Sequence, residues 1–266
     1  MPYSRRMSTR YPGCLIVLID QSASMAQPIA GNPGLSRAAA LAQAVDLLLD
    51  ELVDRCVKDE SLPVMPWCDV AVLGYGGHGV RSMLAGDGFV STAKLDELGA
   101  PTGADATGPR LQATRRWITP LADGNTPMAE AVARAHDLAA RWIGGHPDSF
   151  PPVVLNITDG QANTGDPAAH AARLTALGTR DGGVLLFNLH LSGDTSAMVE
   201  FPSAPPQLGD PFATHLFGMS SVIPDPMVET SQFPLRPGAR GFVFNGGATS
   251  LTRFFMWGTP FAAAGP

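Results

Sequence analysis

Cys14-Leu15-Ile16-Val17-Leu18-Ile19-Asp20-Gln21-Ser22-Ala23-Ser24-Met25 is the stretch whose reading decides the fold. Six apolar residues, three of them β-branched, run straight into an acidic residue and two hydroxyls at alternate positions. An unbroken apolar run of this length predicts a strand buried on both faces, the kind found in the middle of a parallel sheet. Asp20 then falls at the carboxyl end of the strand, where open α/β sheets place their ligand sites. Past the strand the chain turns, so Asp20, Ser22 and Ser24 can point into one crevice. A carboxylate and two hydroxyls are hard oxygen ligands, suited to Mg²⁺, Mn²⁺ or Ca²⁺ and not to a thiophilic metal.

The rest of the chain narrows the class. Of 266 residues, 45% are hydrophobic and 16% charged, enough apolar content for a real core, and the 29 Gly and 24 Pro predict a loop-rich chain. A net charge of −6 without a long basic run argues against a general nucleic-acid binder. The three cysteines, Cys14, Cys56 and Cys68, are odd in number and widely spaced, which fits small buried hydrophobes in a reducing compartment. The basic start, Met1 to Arg10, leads into too short an apolar run for a secretory signal, and no window approaches the roughly 18 apolar residues of a membrane span. The expectation is a soluble, cytoplasmic protein with no membrane contact.

Taken in order, residues 1–13 read as a flexible lead-in. An amphipathic helix is predicted over about Ser36 to Lys58, with Ser36 as N-cap and Leu41, Val45, Leu48, Leu49 and Leu52 facing the sheet. Cys68 to Tyr75 is the second strand. Gly76-Gly77-His78-Gly79 makes a turn and Val80 to Leu84 returns, an antiparallel hairpin at a sheet edge. These glycines are not a phosphate loop, because no Lys-Ser/Thr follows and the next element is a strand. A short helix over Thr92 to Leu98 and an exposed loop over Gly99 to Pro109 come next. Then Thr126-Pro127-Met128 opens a helix to about Ile143, with Pro127 in its first turn and Thr126 in the N-cap position. Pro151 to Gly160 repeats the opening logic, an apolar strand ending on Asp159. A helix over Pro167 to Leu177 capped by Asp166, a strand over Gly183 to Leu191 and a last strand over His215 to Met219 complete the pattern. This order predicts a Rossmann-like, doubly wound α/β fold whose mostly parallel sheet has one antiparallel edge strand.

Asp-x-Ser-x-Ser at the end of a first buried strand resembles the start of a von Willebrand factor A (VWA) domain, where it opens the metal-ion-dependent adhesion site. The family's site needs two further loops: a threonine ahead of a helix, and an aspartate in a strand-terminal Thr-Asp-Gly. Here Asp20, Ser22 and Ser24 are followed by Thr126 in Gly-Asn-Thr-Pro-Met and Asp159 in Ile-Thr-Asp-Gly, in the family's order. The resemblance implies a VWA domain over 14–222 holding Mg²⁺, with Mn²⁺ or Ca²⁺ as alternatives. Ser22, Ser24 and Thr126 would then ligate through hydroxyl oxygens, Thr126 directly or through water, and Asp20 and Asp159 mainly through bound waters. It further implies a protein partner that completes the metal shell with a carboxylate: a binding module and not an enzyme. Nothing in the motifs favours catalysis, since His78, His136, His146, His170, His190 and His215 are scattered and no Gly-x-Ser-x-Gly elbow is present.

Residues 223–266 exceed a minimal VWA domain and are expected to form an extension packed on it. Pro224 to Phe233 and Ser250 to Trp257 suggest short helices. Phe242, Phe244, Phe254, Phe255 and Trp257 form an aromatic group, read first as packing and second as a docking patch. The chain is similar to stand-alone bacterial VWA proteins of the tellurite-resistance and stress-response type, which implies a Ser/Thr kinase and a PP2C-type phosphatase as partners. The alternatives are a VWA subunit working with an AAA+ ATPase and a metal-dependent phosphohydrolase.

Overall fold

The computed structural model describes residues 2–254, apart from 60, 87, 103–113, 161–164, 192–197, 206–210, 232–233, 248–249 and 252–253. The opening stretch forms β1 (Gly13–Gln21), and every one of its nine residues is buried. Around it lie β2 (Cys68–Gly76), β3 (Gly79–Ser82), β4 (Val90–Ser91), β5 (Val153–Thr158), β6 (Leu185–Leu191), β7 (Val199–Glu200) and β8 (Phe242–Gly246). The strands make one eight-stranded sheet in the order β7-β8-β6-β5-β1-β2-β3, with β4 also paired to β2. β2, β1, β5, β6 and β8 run parallel. The predicted hairpin places β3 antiparallel at one edge, where β4 also pairs with β2, and β7 adds a second antiparallel edge beside β8. The Rossmann-like α/β class is therefore the observed one.

Strand alternation sorts the core into two layers. Leu15, Val17 and Ile19 of β1 pack with Val153, Leu155 and Ile157 of β5 and with Leu41, Val45, Leu48, Leu49 and Leu52 of α1 (Arg37–Arg55). Cys14, Ile16 and Leu18 face the other way, onto Met128, Val132, Ala135 and Leu138 of α3 (Met128–Gly145), Leu174 of α4 (Pro167–Thr175) and Leu216 of α5 (Pro211–Met219). Both faces being covered explains why the parallel strands carry near-continuous apolar runs. The short α2 (Thr92–Leu98) and α6 (Asp225–Thr230) follow, and Ser250, Leu251 and Phe254 are also helical.

The second layer also holds a polar ladder that its apolar sequence context conceals. Tyr75 Oη donates to Asn156 Oδ1 (2.9 Å), Asn156 Nδ2 to Asn188 Oδ1 (2.9 Å), and Asn188 Nδ2 to Ser220 Oγ (3.0 Å), all buried. Because each buried group finds a partner, the ladder avoids the penalty of an unsatisfied polar atom. Burial pushes the Tyr75 phenol well above its usual value, and the nearby Asp20 carboxylate adds to that.

His215 to Met219 is the end of α5 and not a strand: Ala213, Leu216 and Phe217 are buried at helical spacing, and a short apolar window cannot by itself tell strand from helix. The place beside β6 is taken instead by β8, with Phe242 and Phe244 buried. The sheet therefore draws on residues beyond 222, where an extension was expected. Within the expected loop Gly99 to Pro109, Ala100–Thr102 pairs antiparallel with Thr114–Arg116, while 103–109 lies outside the described residues.

At the start of the chain, Tyr3 Oη accepts the Gly183 N–H (3.0 Å), the Asp181 carboxylate accepts the N–H groups of Ser4 and Arg5, and Met7 is buried. Of the aromatic group near the other end, Phe242, Phe244 and Phe254 are buried, and Phe255 and Trp257 lie outside the described residues. All three cysteines are free and buried, and burial pushes their thiols up, Cys14 and Cys68 most. Such thiols are inert small hydrophobes and not nucleophiles.

Candidate functional site

The five residues singled out in the sequence meet at the carboxyl edge of β1 and β5. Ser22, Ser24, Thr126 and Asp159 line one cleft of about 340 Å³, together with Ala23, Gly124 and Arg37. Asp20 sits immediately beneath: its Oδ1 accepts the Ser22 N–H (2.8 Å) and its Oδ2 accepts the Thr158 hydroxyl (2.6 Å). After β1 the chain makes a 3-10 turn over Ala23–Ala26, which brings Ser24 back beside Ser22, their hydroxyl oxygens 3.0 Å apart. Ser24 Oγ in turn donates to Asp159 Oδ1 (2.8 Å). Two strand ends far apart in sequence are thus joined through side chains.

The Thr126 loop is tied in through the backbone. Asp123 N–H donates to Gln21 O (2.7 Å), Ala23 N–H to Gly124 O (3.1 Å) and Gly77 N–H to Asp123 O (2.7 Å). The loops can approach this closely because both sides are glycine. Gly124 has φ +68°, and a Cβ on it would lie 2.2 Å from Gly77 Cα. The glycines of the β2–β3 turn therefore serve close packing against the Thr126 loop. Thr126 is not the helix cap that its position suggests. The residue at the start of α3 is Pro127, and no side chain caps that end. The Thr126 carbonyl accepts the Met128 N–H (2.9 Å), and Thr126, a buried residue, lines the cleft.

Two residues were not singled out as site residues. Thr158 orients Asp20, donating its hydroxyl to that carboxylate and accepting the Gly160 N–H (3.1 Å). Arg37 is the more consequential. Its Nη1 lies 2.8 Å from Asp159 Oδ2, the pair being mostly buried, at 16% and 5% side-chain exposure. A signal for Arg37 existed: it is the first residue of α1, directly after the N-cap Ser36, where the helix dipole disfavours a cation. A charge placed against that preference indicates a partner elsewhere in the fold.

The electrostatics of the two aspartates differ. Asp20 is 1% exposed and receives hydrogen bonds only from neutral donors. Burial pushes its carboxyl up to about 6, against the pull of those hydrogen bonds and with a small further push from Asp159. Asp20 forms no ion pair among the described residues. Among the described residues no group of three or more His, Cys, Asp or Glu could hold a metal, so any ion here must rely on hydroxyls. Two carboxylates and three hydroxyls supply an all-oxygen donor set, which fits Mg²⁺, Mn²⁺ or Ca²⁺.

No family model matches the sequence, and no curated protein matches it either. Solved structures do. Proximal thread matrix protein 1 of the mussel byssus is 15% identical, with a TM-score of 0.53, over 98% of this chain and 50% of its own. The PilB minor pilin of Streptococcus sanguinis is 11% identical, with a TM-score of 0.50, over 96% of this chain and 64% of its own. This chain thus spans half the length of the mussel protein, and at such identities the likeness is one of fold alone. The manganese-loaded TRAP protein of Plasmodium vivax (13% identity, 96% of this chain and 74% of its own, TM-score 0.47) is too distant to carry an argument, as are matches described as von Willebrand factor A domains.

Proposed function

We propose that this chain is a VWA-type module that binds a divalent cation through Ser22, Ser24, Thr126, Asp20 and Asp159 and presents it to an acidic group of a protein partner. The observation that carries this reading is Asp20. Its carboxylate is buried beneath a cleft lined by Ser22, Ser24, Thr126 and Asp159, and among the described residues it has no cation partner. The fold supports it as well, since both aspartates stand at the carboxyl ends of parallel strands, where such sheets bind ligands.

In this reading each residue has a separable task. Thr158 and the Ser22 N–H fix the Asp20 carboxylate, so that its charge is aimed from below. The 3-10 turn holds Ser22 and Ser24 side by side, and the Gly77–Gly124 approach brings Thr126 to the opposite wall. A bound Mg²⁺ or Mn²⁺ would supply a point of positive charge to which a partner's carboxylate oxygen can bind. Neutral hydroxyl ligands preserve more of that charge than carboxylates would, which suits binding from outside.

The wider setting proposed is a cytoplasmic bacterial stress-response or signalling system with a Ser/Thr kinase and a PP2C-type phosphatase, on the motif resemblance alone. Among the described residues no helix is long and apolar enough to cross a membrane. The test is capture from lysate by wild type and Asp20→Ala, each with Mg²⁺ and with chelator. A partner held only by wild type with Mg²⁺ is expected, and equal capture in all four conditions would sink the reading.

A further inference from the structure

Arg37 is the one cation among the described residues lining the cleft, and it is not free to wander. Its backbone N–H is held by Gln27 O (2.9 Å), and the Ser36 side chain caps the helix it starts by accepting the Ala39 N–H (3.2 Å). Its Nε is buried and has no hydrogen-bond partner among the described residues, so the guanidinium is anchored by Asp159 and little else. A buried donor without a partner, on a cation at the wrong end of a helix, marks a side chain held for its charge and not for its fit.

Both oxygens of Asp159 are taken, Oδ1 by the Ser24 hydroxyl and Oδ2 by Arg37. Of the two carboxylates in the site, the one on the open wall of the cleft is thus already neutralised by the protein itself. Resting on the divalent-ion reading above, we infer that Arg37 is a resident cation that competes with the divalent ion for Asp159 and so sets the ion concentration at which the site fills. Coulomb repulsion between a guanidinium and a divalent ion in one partly buried cleft acts in the same direction as the competition. The consequence is a site that stays in its closed, self-paired form at low ion levels.

The experiment is Mn²⁺ titration of the full chain by calorimetry for wild type, Arg37→Gln, Arg37→Lys and Asp20→Ala, with urea stability of each in chelator and in excess Mn²⁺. Arg37→Gln is expected to bind Mn²⁺ about tenfold tighter, the factor that ~1.4 kcal/mol gives, and Arg37→Lys to stay close to wild type. Arg37→Gln should also be less stable than wild type in chelator and regain most of that deficit in excess Mn²⁺. A purely structural ion pair would leave the deficit the same in both. Equal or weaker Mn²⁺ binding by Arg37→Gln, with wild type binding and Asp20→Ala not, overturns this inference alone. No Mn²⁺ uptake by any variant overturns the divalent-ion reading and the inference with it. Should Arg37→Gln fail to fold, the Arg37 side-chain N–H resonance of wild type decides: it is expected to shift along the Mg²⁺ titration, and an unmoved signal at saturation overturns the competition.

Discussion

Asp20 and Asp159 end two neighbouring parallel strands and look alike in sequence, an apolar run closing on an aspartate. The fold treats them oppositely. Asp20 lies under the cleft, satisfied by a backbone N–H and the Thr158 hydroxyl, and burial pushes its carboxyl up to about 6. Asp159 stands at the cleft wall with a hydroxyl on one oxygen and a guanidinium on the other. Among the described residues, one aspartate has its counter-charge built into the chain and the other does not. The site is therefore half neutralised by the protein itself, and the unneutralised half is the more deeply buried one.

The largest effect that tests this contrast is Asp20→Asn. A carboxyl whose folded value is raised from 3.8 to about 6 contributes stability that is present below 3.8 and lost as pH rises through about 6. The shift corresponds to about 3 kcal/mol above that window. In chelator at pH 7.5, Asp20→Asn is expected to exceed wild type by up to that amount in urea unfolding, with the gain gone near pH 4. A pH-independent difference would break the contrast. Next in size is Gly124→Ala, where the left-handed φ and the 2.2 Å approach to Gly77 Cα both oppose a side chain. A loss of about 2 to 3 kcal/mol is expected from strain and displacement of the Thr126 loop, with calorimetry showing weakened Mn²⁺ binding as well.

Asp159→Asn removes the partner of a mostly buried arginine, and in chelator it should lose about 2 kcal/mol, below the figure for a fully buried pair because Arg37 keeps some exposure. The opposite sign of the Asp20 and Asp159 substitutions, read side by side in one urea series, is the sharpest form of the comparison. The smallest effect is Ser36→Ala, which removes the cap from the Ala39 N–H beside Arg37. About 1 kcal/mol of stability should go, with no change in Mn²⁺ stoichiometry.

Much of this was legible in the chain because burial leaves a pattern. The runs at Cys14 to Ile19 and Val153 to Ile157 announced strands covered on both faces, and Leu41, Val45, Leu48 and Leu52 announced a helix on one of them. What stayed hidden was relational. The apolar window His215 to Met219 is too short for its helical period to show, so it predicts a strand where the end of α5 lies. Asn156 and Asn188 look like interruptions in apolar runs until their side chains are seen bonded to each other across β5 and β6. The approach of Gly124 to Gly77 joins two loops that no local signal connects. Thr126 stands before Pro127 as a cap would, yet no side chain caps that helix and Thr126 lines the cleft instead. Arg37 could have been noticed as a cation on the first residue of a helix, but only the structure shows Asp159 facing it.

The most direct test of the central claim is Mn²⁺ binding by wild type and Asp20→Ala, followed by electron paramagnetic resonance of the free ion at neutral pH. The account predicts one Mn²⁺ per wild-type chain, displaced by Mg²⁺ and lost in Asp20→Ala. Equal uptake by both chains, or none by either, would contradict it.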